Sequence, residues 1–226
     1  MVPEGGHMII LDEINTLKIV FIIIVPIIFV LVLAFILYRP IRKSIYRKKY
    51  RELYGKRVYK IALYEDFYLI NLFNFKYDDK HYAIVDHVLF SNKYIYIIMD
   101  KFYDGSVAGK IDDQSLVMVS SKGKKQYIDN PIIESKAIVK RLALMTNIDP
   151  TLFIGISLTN EECAIDVQQN SKDFYIIQVN RLTSLVNAIE SRNIEPINPD
   201  QLQRLVTDMD RINKKRKKMD GYNKRN

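Results

Sequence analysis

Residues 19–38, IVFIIIVPIIFVLVLAFILY, contain no charge at all, and this run limits what the chain can fold into. As an α-helix rising ~1.5 Å per residue it spans about 30 Å, the thickness of a bilayer's hydrocarbon core. It is longer than the ~7–15 apolar residues of a signal peptide, and no small-x-small cleavage site ends it. Soluble cores seldom supply so continuous a stretch. The expectation is a transmembrane helix over 19–38, preceded by a short extracytoplasmic leader, 1–18. Pro26 removes a backbone hydrogen bond within it, which membrane helices tolerate.

Charge on the two flanks orients the helix. Glu4, Asp12, Glu13 and Lys18 precede it, whereas residues 39–60 hold ten basic residues against Glu52 alone. The positive-inside rule then predicts a single-pass protein of the cell membrane with its N-terminus outside and the rest in the cytoplasm. The lone cysteine, Cys163, suits a reducing compartment, excludes an internal disulfide and a cysteine-built zinc site, and is expected to be a packed thiol. Residues 39–60, with Arg42, Lys43, Arg47, Lys48 and Lys49, read as a basic juxtamembrane helix that meets anionic lipid headgroups. A second cluster, Lys214, Lys215, Arg216, Lys217 and Lys218 in the tail 213–226, suits headgroups or nucleic acid.

The net charge of +8 is therefore misleading for the folded part. Residues 61–210 carry fifteen basic and twenty-one acidic residues. A protein that grips nucleic acid without sequence preference normally has the opposite balance on its domain surface.

Within that part, residues 84–90 and 94–99 are rich in β-branched and aromatic side chains around Ser91-Asn92-Lys93, which predicts a hairpin. Residues 67–75 read as a strand before it, 115–119 and 125–128 as a second hairpin, and 152–158 and 174–179 as buried strands. Asn130-Pro131 and Asn198-Pro199 supply an N-cap with proline at the first helical position. Leu182, Leu185, Val186 and Ile189, and Leu202, Leu205, Val206, Met209 and Ile212, recur at helical spacing. The order predicts an α/β domain over 61–180, a mixed β-sheet flanked by helices, with C-terminal helices over 181–212 packing on it.

The first hairpin carries the chemistry. Asp86 lies in one strand and Lys101 closes the next, and an acid beside an acid-x-Lys is a pattern that holds a divalent metal near a phosphate. The run Val85-Asp86-His87-Val88, then residues 94–101, then Gly105-Ser106-Val107-Ala108-Gly109 resembles the nuclease-related domain (NERD) family, as does Asn130-Pro131 further on. The resemblance, over roughly residues 50–180, implies a restriction-endonuclease-like fold and a Mg²⁺- or Mn²⁺-dependent nuclease site at Asp86 and Lys101, with Asp86 as a metal ligand. The family's strand Glu falls on Met99, its helix Gly-Glu on Gly55-Lys56, and its Gln after Asn-Pro on Glu134. Glu52 lies about one turn from Lys56. His87 adjoins Asp86 but alternates to the other face.

Met99 decides the expectation, because residues two apart share a strand face and a thioether is a poor ligand for Mg²⁺. Asp100 serves in its place only if a β-bulge shifts the register. Three readings follow. The leading one is a membrane-anchored NERD-like domain that has lost its metal site, needs no cofactor, and binds nucleic acid or protein. The second is a working Mg²⁺- or Mn²⁺-dependent nuclease using Asp86, Asp100 and Lys101. The third is a membrane-tethered interaction scaffold in which Asp86 and Lys101 form a buried ion pair.

Overall fold

The computed structural model describes residues 6–77, 81–168 and 171–213 of the chain. Two units emerge, one up to Lys49 and one from Tyr50. The first consists of helix α1 (Gly6–Tyr64) as far as Lys49, and it contains Pro26 and Pro40. From Ile22 to Tyr38 every large apolar side chain is exposed, and the helix is long and apolar enough to cross a membrane. Further along, Arg42, Arg47, Lys48 and Lys49 are exposed and Lys43 is half-buried. The tail cluster Lys214, Lys215, Arg216, Lys217 and Lys218 lies outside the described residues.

The second unit opens with the last turns of α1, whose Tyr54, Val58, Ile61 and Ala62 are buried. There follow β1 (Tyr68–Lys76), β2 (Tyr82–Phe90), β3 (Ile95–Asp100), β4 (Gly105–Lys110), β5 (Ser115–Ser120) and β6 (Lys125–Asp129). Next come α2 (Pro131–Thr146), β7 (Phe153–Thr159), β8 (Ala164–Gln168), β9 (Phe174–Gln178), α3 (Leu182–Glu190) and α4 (Pro199–Ile212). This is the expected mixed α/β architecture, with the strands shared between two sheets. The larger runs β1-β2-β3-β7-β9, antiparallel through β3 and parallel from β3 to β9. The smaller runs β6-β5-β4-β8, with β8 parallel to β4.

All six residues of β3 are buried, as a strand covered on both faces must be. Ile95, Ile97 and Met99 join the core cluster that includes Ile138, Val139 and Leu142 of α2 and Leu202, Leu205 and Met209 of α4. Tyr96, Ile98 and Asp100 alternate to the opposite face. The α4 stripe read from the sequence thus packs on this sheet, and Leu182, Val186 and Ile189 of the α3 stripe are buried. Cys163 is fully buried in the cluster of the smaller sheet, beside Val107 and Leu116 among others.

Two strands were not legible as such. Residues 105–109, spaced by glycines, form most of β4, and the polar stretch after Cys163 forms β8. The glycines serve strand packing. Gly105 and Gly109 both have φ near 145°, and a Cβ on Gly105 would lie 2.0 Å from the Val119 carbonyl oxygen. Only glycine allows β4 and β5 this backbone and this approach.

Both Asn-Pro helix starts form as expected, and that of α2 also ties the two layers together. Asn130 Oδ1 accepts from the Ile132 N–H at 3.0 Å, while its Nδ2 donates to the carbonyls of Lys110, Ile111 and Asp113 at 3.3, 3.0 and 2.7 Å. The residue is 2% exposed, and of the three residues whose carbonyls it holds Ile111 is itself buried. Asn130→Ala should destabilise the protein by about 2–3 kcal/mol, a lost cap plus the unsatisfied carbonyl of buried Ile111. Asn130→Asp, an equally good N-cap, should cost at least as much, because it sets a carboxylate oxygen against those carbonyls; urea unfolding of the two variants checks this.

Candidate functional site

The β2–β3 ladder stops short. Its last pair is His87 with Ile98, although the register would next bring Asp86 to Met99. At this level β1 and β2 both change face. Ile70 and Phe73, three residues apart, pack on the same core cluster, and so do Val85 and Val88. Regular strands would place such residues on opposite sides. The switch falls on Leu72 and Asp86, which are skipped between the pairs Asn71–His87 and Phe73–Val85. Leu72 has a φ of 53°, a left-handed conformation that costs a non-glycine residue about 1–3 kcal/mol.

The distortion frees the Asp86 carboxylate to replace the missing ladder bond. Its Oδ2 accepts from the Asp100 N–H at 2.8 Å, and its Oδ1 lies 3.8 Å from Arg51 Nε. Lys101, just past β3, is held by its own N–H on the Leu158 carbonyl at 2.8 Å. Its ammonium donates to Glu134 Oε2 at 2.6 Å, from the first turn of α2. Arg51, Asp86, Asp100, Lys101 and Glu134 line one cleft of about 710 Å³, whose apolar wall includes Leu69, Leu72, Ile84 and Met99. That volume is typical of a ligand site.

The sequence-predicted residues Asp86, Asp100 and Lys101 therefore converge. Asp100 meets the cleft through the N–H it gives to Asp86, and β3 has no bulge, its pairing with β7 running unbroken through Met99–Ser157 and Asp100–Leu158. The irregularity sits in β1 and β2 instead. Met99, 2% exposed, turns into the core. The Asp100 side chain turns the other way, to His87.

His87 and Asp100 form a buried pair, with His87 Nε2 3.2 Å from Asp100 Oδ2 and Nδ1 2.6 Å from Asn71 Oδ1. With Nδ1–H donating to the amide oxygen, Nε2 is placed to accept from a protonated Asp100 carboxyl. Burial raises the Asp100 pKa above the ordinary carboxylate range, and the facing His87 opposes that rise. The other oxygen, Oδ1, is buried with no hydrogen-bond partner among the described residues. Gly55 of α1 lies over this pair; a Cβ there would come within 3.3 Å of His87 Cε1.

Sequence reasoning missed Arg51 and Asn71. Arg51 is one helical turn before Gly55 and so shares its face, which is the signal that points to it. Glu52 and Lys56 pair with each other at 2.8 Å on exposed positions, and neither lines the cleft. Among the described residues no group of three or more His, Cys, Asp or Glu side chains is placed to hold a metal ion.

Residues 51–158 match the family model described as nuclease-related domain. No curated protein matches the chain, and no solved structure does.

Because the native Asp100 carboxyl binds its proton more tightly than the unfolded one, the stability it contributes is full below the unfolded pKa of about 3.9 and is lost as pH rises through the native value. Asp100→Asn, a fixed mimic of the protonated acid, should lack that slope. Thermal melts from about pH 4 to pH 8 should show the variant gaining on the parent as pH rises, whereas Asp100→Ala, which strands the His87 Nε2, should lose about 1–3 kcal/mol.

Proposed function

From a chain whose residues 51–158 place it in the nuclease-related domain family, we propose a membrane-anchored domain that binds at the family's cleft and does not cleave. In this reading the N-terminus lies outside the cell membrane, the apolar helix crosses it, and the domain from Tyr50 works in the cytoplasm. The basic residues from Arg42 to Lys49 face anionic headgroups.

The observation that carries the reading is the state of the cleft's oxygens. The resemblance implies Mg²⁺ or Mn²⁺, which take hard oxygen donors in numbers. Position 99 offers a thioether buried in the core. Asp86 spends one oxygen on the Asp100 N–H and turns the other to Arg51, and Glu134 is held by Lys101. The residues present do not fit a catalytic divalent ion, and Arg51 and Lys101 bring positive charge to the carboxylates that such an ion would need.

An acidic domain with paired charges and an apolar wall in its cleft favours a protein partner over a nucleic-acid backbone. The repulsion between an acidic surface and phosphates supports that choice. The Asp86–Arg51 and Lys101–Glu134 pairs then act as the polar rim of a docking cleft.

The full chain in lipid vesicles, incubated with Mg²⁺ or Mn²⁺ and labelled DNA or RNA, should leave the nucleic acid intact. Metal-dependent cleavage that Asp86→Ala abolishes would overturn the reading. The chain should also stay with membranes through high-salt and alkaline washes, and deletion of residues 19–38 should release it.

A further inference from the structure

At the far end of the smaller sheet, β6 is an edge strand whose outer side has no paired strand among the described residues. Its geometry can be read from its ends. The Asn130 N–H donates to the Gln114 carbonyl and the Lys124 carbonyl accepts from the Ser120 N–H, so the even-numbered residues turn their backbone groups toward β5. Lys125, Tyr127 and Asp129 therefore turn theirs outward. Side chains alternate in the same rhythm. Ile128 packs against the core of the smaller sheet, while Tyr127, 82% exposed, projects from the opposite face with Lys125 and Asp129 beside it.

The outward pattern, Lys125-x-Tyr127-x-Asp129, is complementary to itself. We propose that β6 pairs antiparallel with β6 of a second copy of this chain, about a twofold axis through Tyr127. The two Tyr127 residues then face each other as a hydrogen-bonded pair, and Lys125 of each copy faces Asp129 of the other. Each of these positions has its N–H and C=O directed across the axis, as an antiparallel hydrogen-bonded pair requires.

Charge fixes the register. A twofold centred on Lys125 opposes lysine to lysine, and one centred on Asp129 opposes aspartate to aspartate; like charges directly opposite are unfavourable. Only the Tyr127-centred register joins unlike charges and stacks the aromatic side chains. Edge strands are usually guarded by lysine against such pairing. Here the guard is cancelled by the aspartate four residues on, and no proline or positive-φ residue interrupts β6. The other sheet's edge strand β1 does carry such an interruption, at Leu72.

The twofold axis makes the contact isologous and closed, so it ends at a dimer. A strand from an unrelated protein would have no need of this opposed charge pair.

The test is a charge exchange in the full chain, held in detergent or in vesicles, with dimerisation read by sedimentation and by cross-linking. Lys125→Asp and Asp129→Lys, each alone, place like charges opposite at both ends of the pair and should weaken dimerisation by about tenfold or more. The double exchange Lys125→Asp with Asp129→Lys should restore it. Tyr127→Cys should link to itself with a short bismaleimide, and Leu144→Cys, exposed on α2, should not. Both charge positions are exposed, so thermal melts should stay unchanged and confirm folding. A monomeric parent chain, a dimer indifferent to the single exchanges, or a double exchange that stays monomeric would overturn the proposal.

Discussion

A backbone amide at the end of a ladder must find an acceptor, and the Asp100 N–H finds the Asp86 carboxylate at 2.8 Å. Much of the cleft depends on that substitution. Because a side chain replaces the next rung, β2 and β3 part at His87–Ile98, and the space between their ends opens toward Arg51, Lys101 and Glu134. The same carboxylate cannot give its full coordination to a metal while it holds an amide and faces a guanidinium. Both of its oxygens are thus engaged, one by the backbone and one facing the guanidinium.

The last two residues of β3 divide the site between two environments. Met99 goes to the apolar side, under α2 and α4, where its flexible thioether fills the core. One residue on, Asp100 goes to the side under Gly55, where His87 and Asn71 complete a polar chain that runs from the buried acid to an exposed amide at the cleft. Gly55 matters there for its lack of a side chain, since the helix approaches the imidazole closely. The acid is present near the expected place, yet it is turned inward to His87 instead of meeting solvent.

Most of the architecture was legible because period and capping are local signals. The hairpin of β2 and β3, both Asn-Pro helix starts and the apolar stripes of α3 and α4 follow from spacing alone. β4 was hidden because Gly105 and Gly109 read as loop residues, when their strain-free positive φ is what lets the strand form against β5. β8 was hidden because its residues alternate weakly and lie mostly exposed. In the site, Asp86, Asp100 and Lys101 were named from the strand pattern. Asn71 was not, since its role arises from a tertiary contact that no short spacing encodes, and Arg51 is marked only by its one-turn spacing from Gly55. The face switch at Leu72 was also invisible, because a left-handed leucine has no compositional mark.

The placement of β7 beside β3 has a consequence for how the chain acquires its structure. Ile95 pairs with Phe153, so the centre of the larger sheet closes across more than fifty residues, and the smaller sheet's β4-β5-β6 meander and α2 all lie in between. Such long closure is slow relative to hairpin formation. During synthesis the β1-β2-β3 meander emerges first with one side of β3 unpaired, and the inserted meander, built from neighbouring strands, emerges next. Parallel addition of β7 and then β9 comes last. The β1, β2 and β3 walls of the cleft thus emerge well before α2 and the end of α4, which bring Glu134, Asp210 and Asn213 to it.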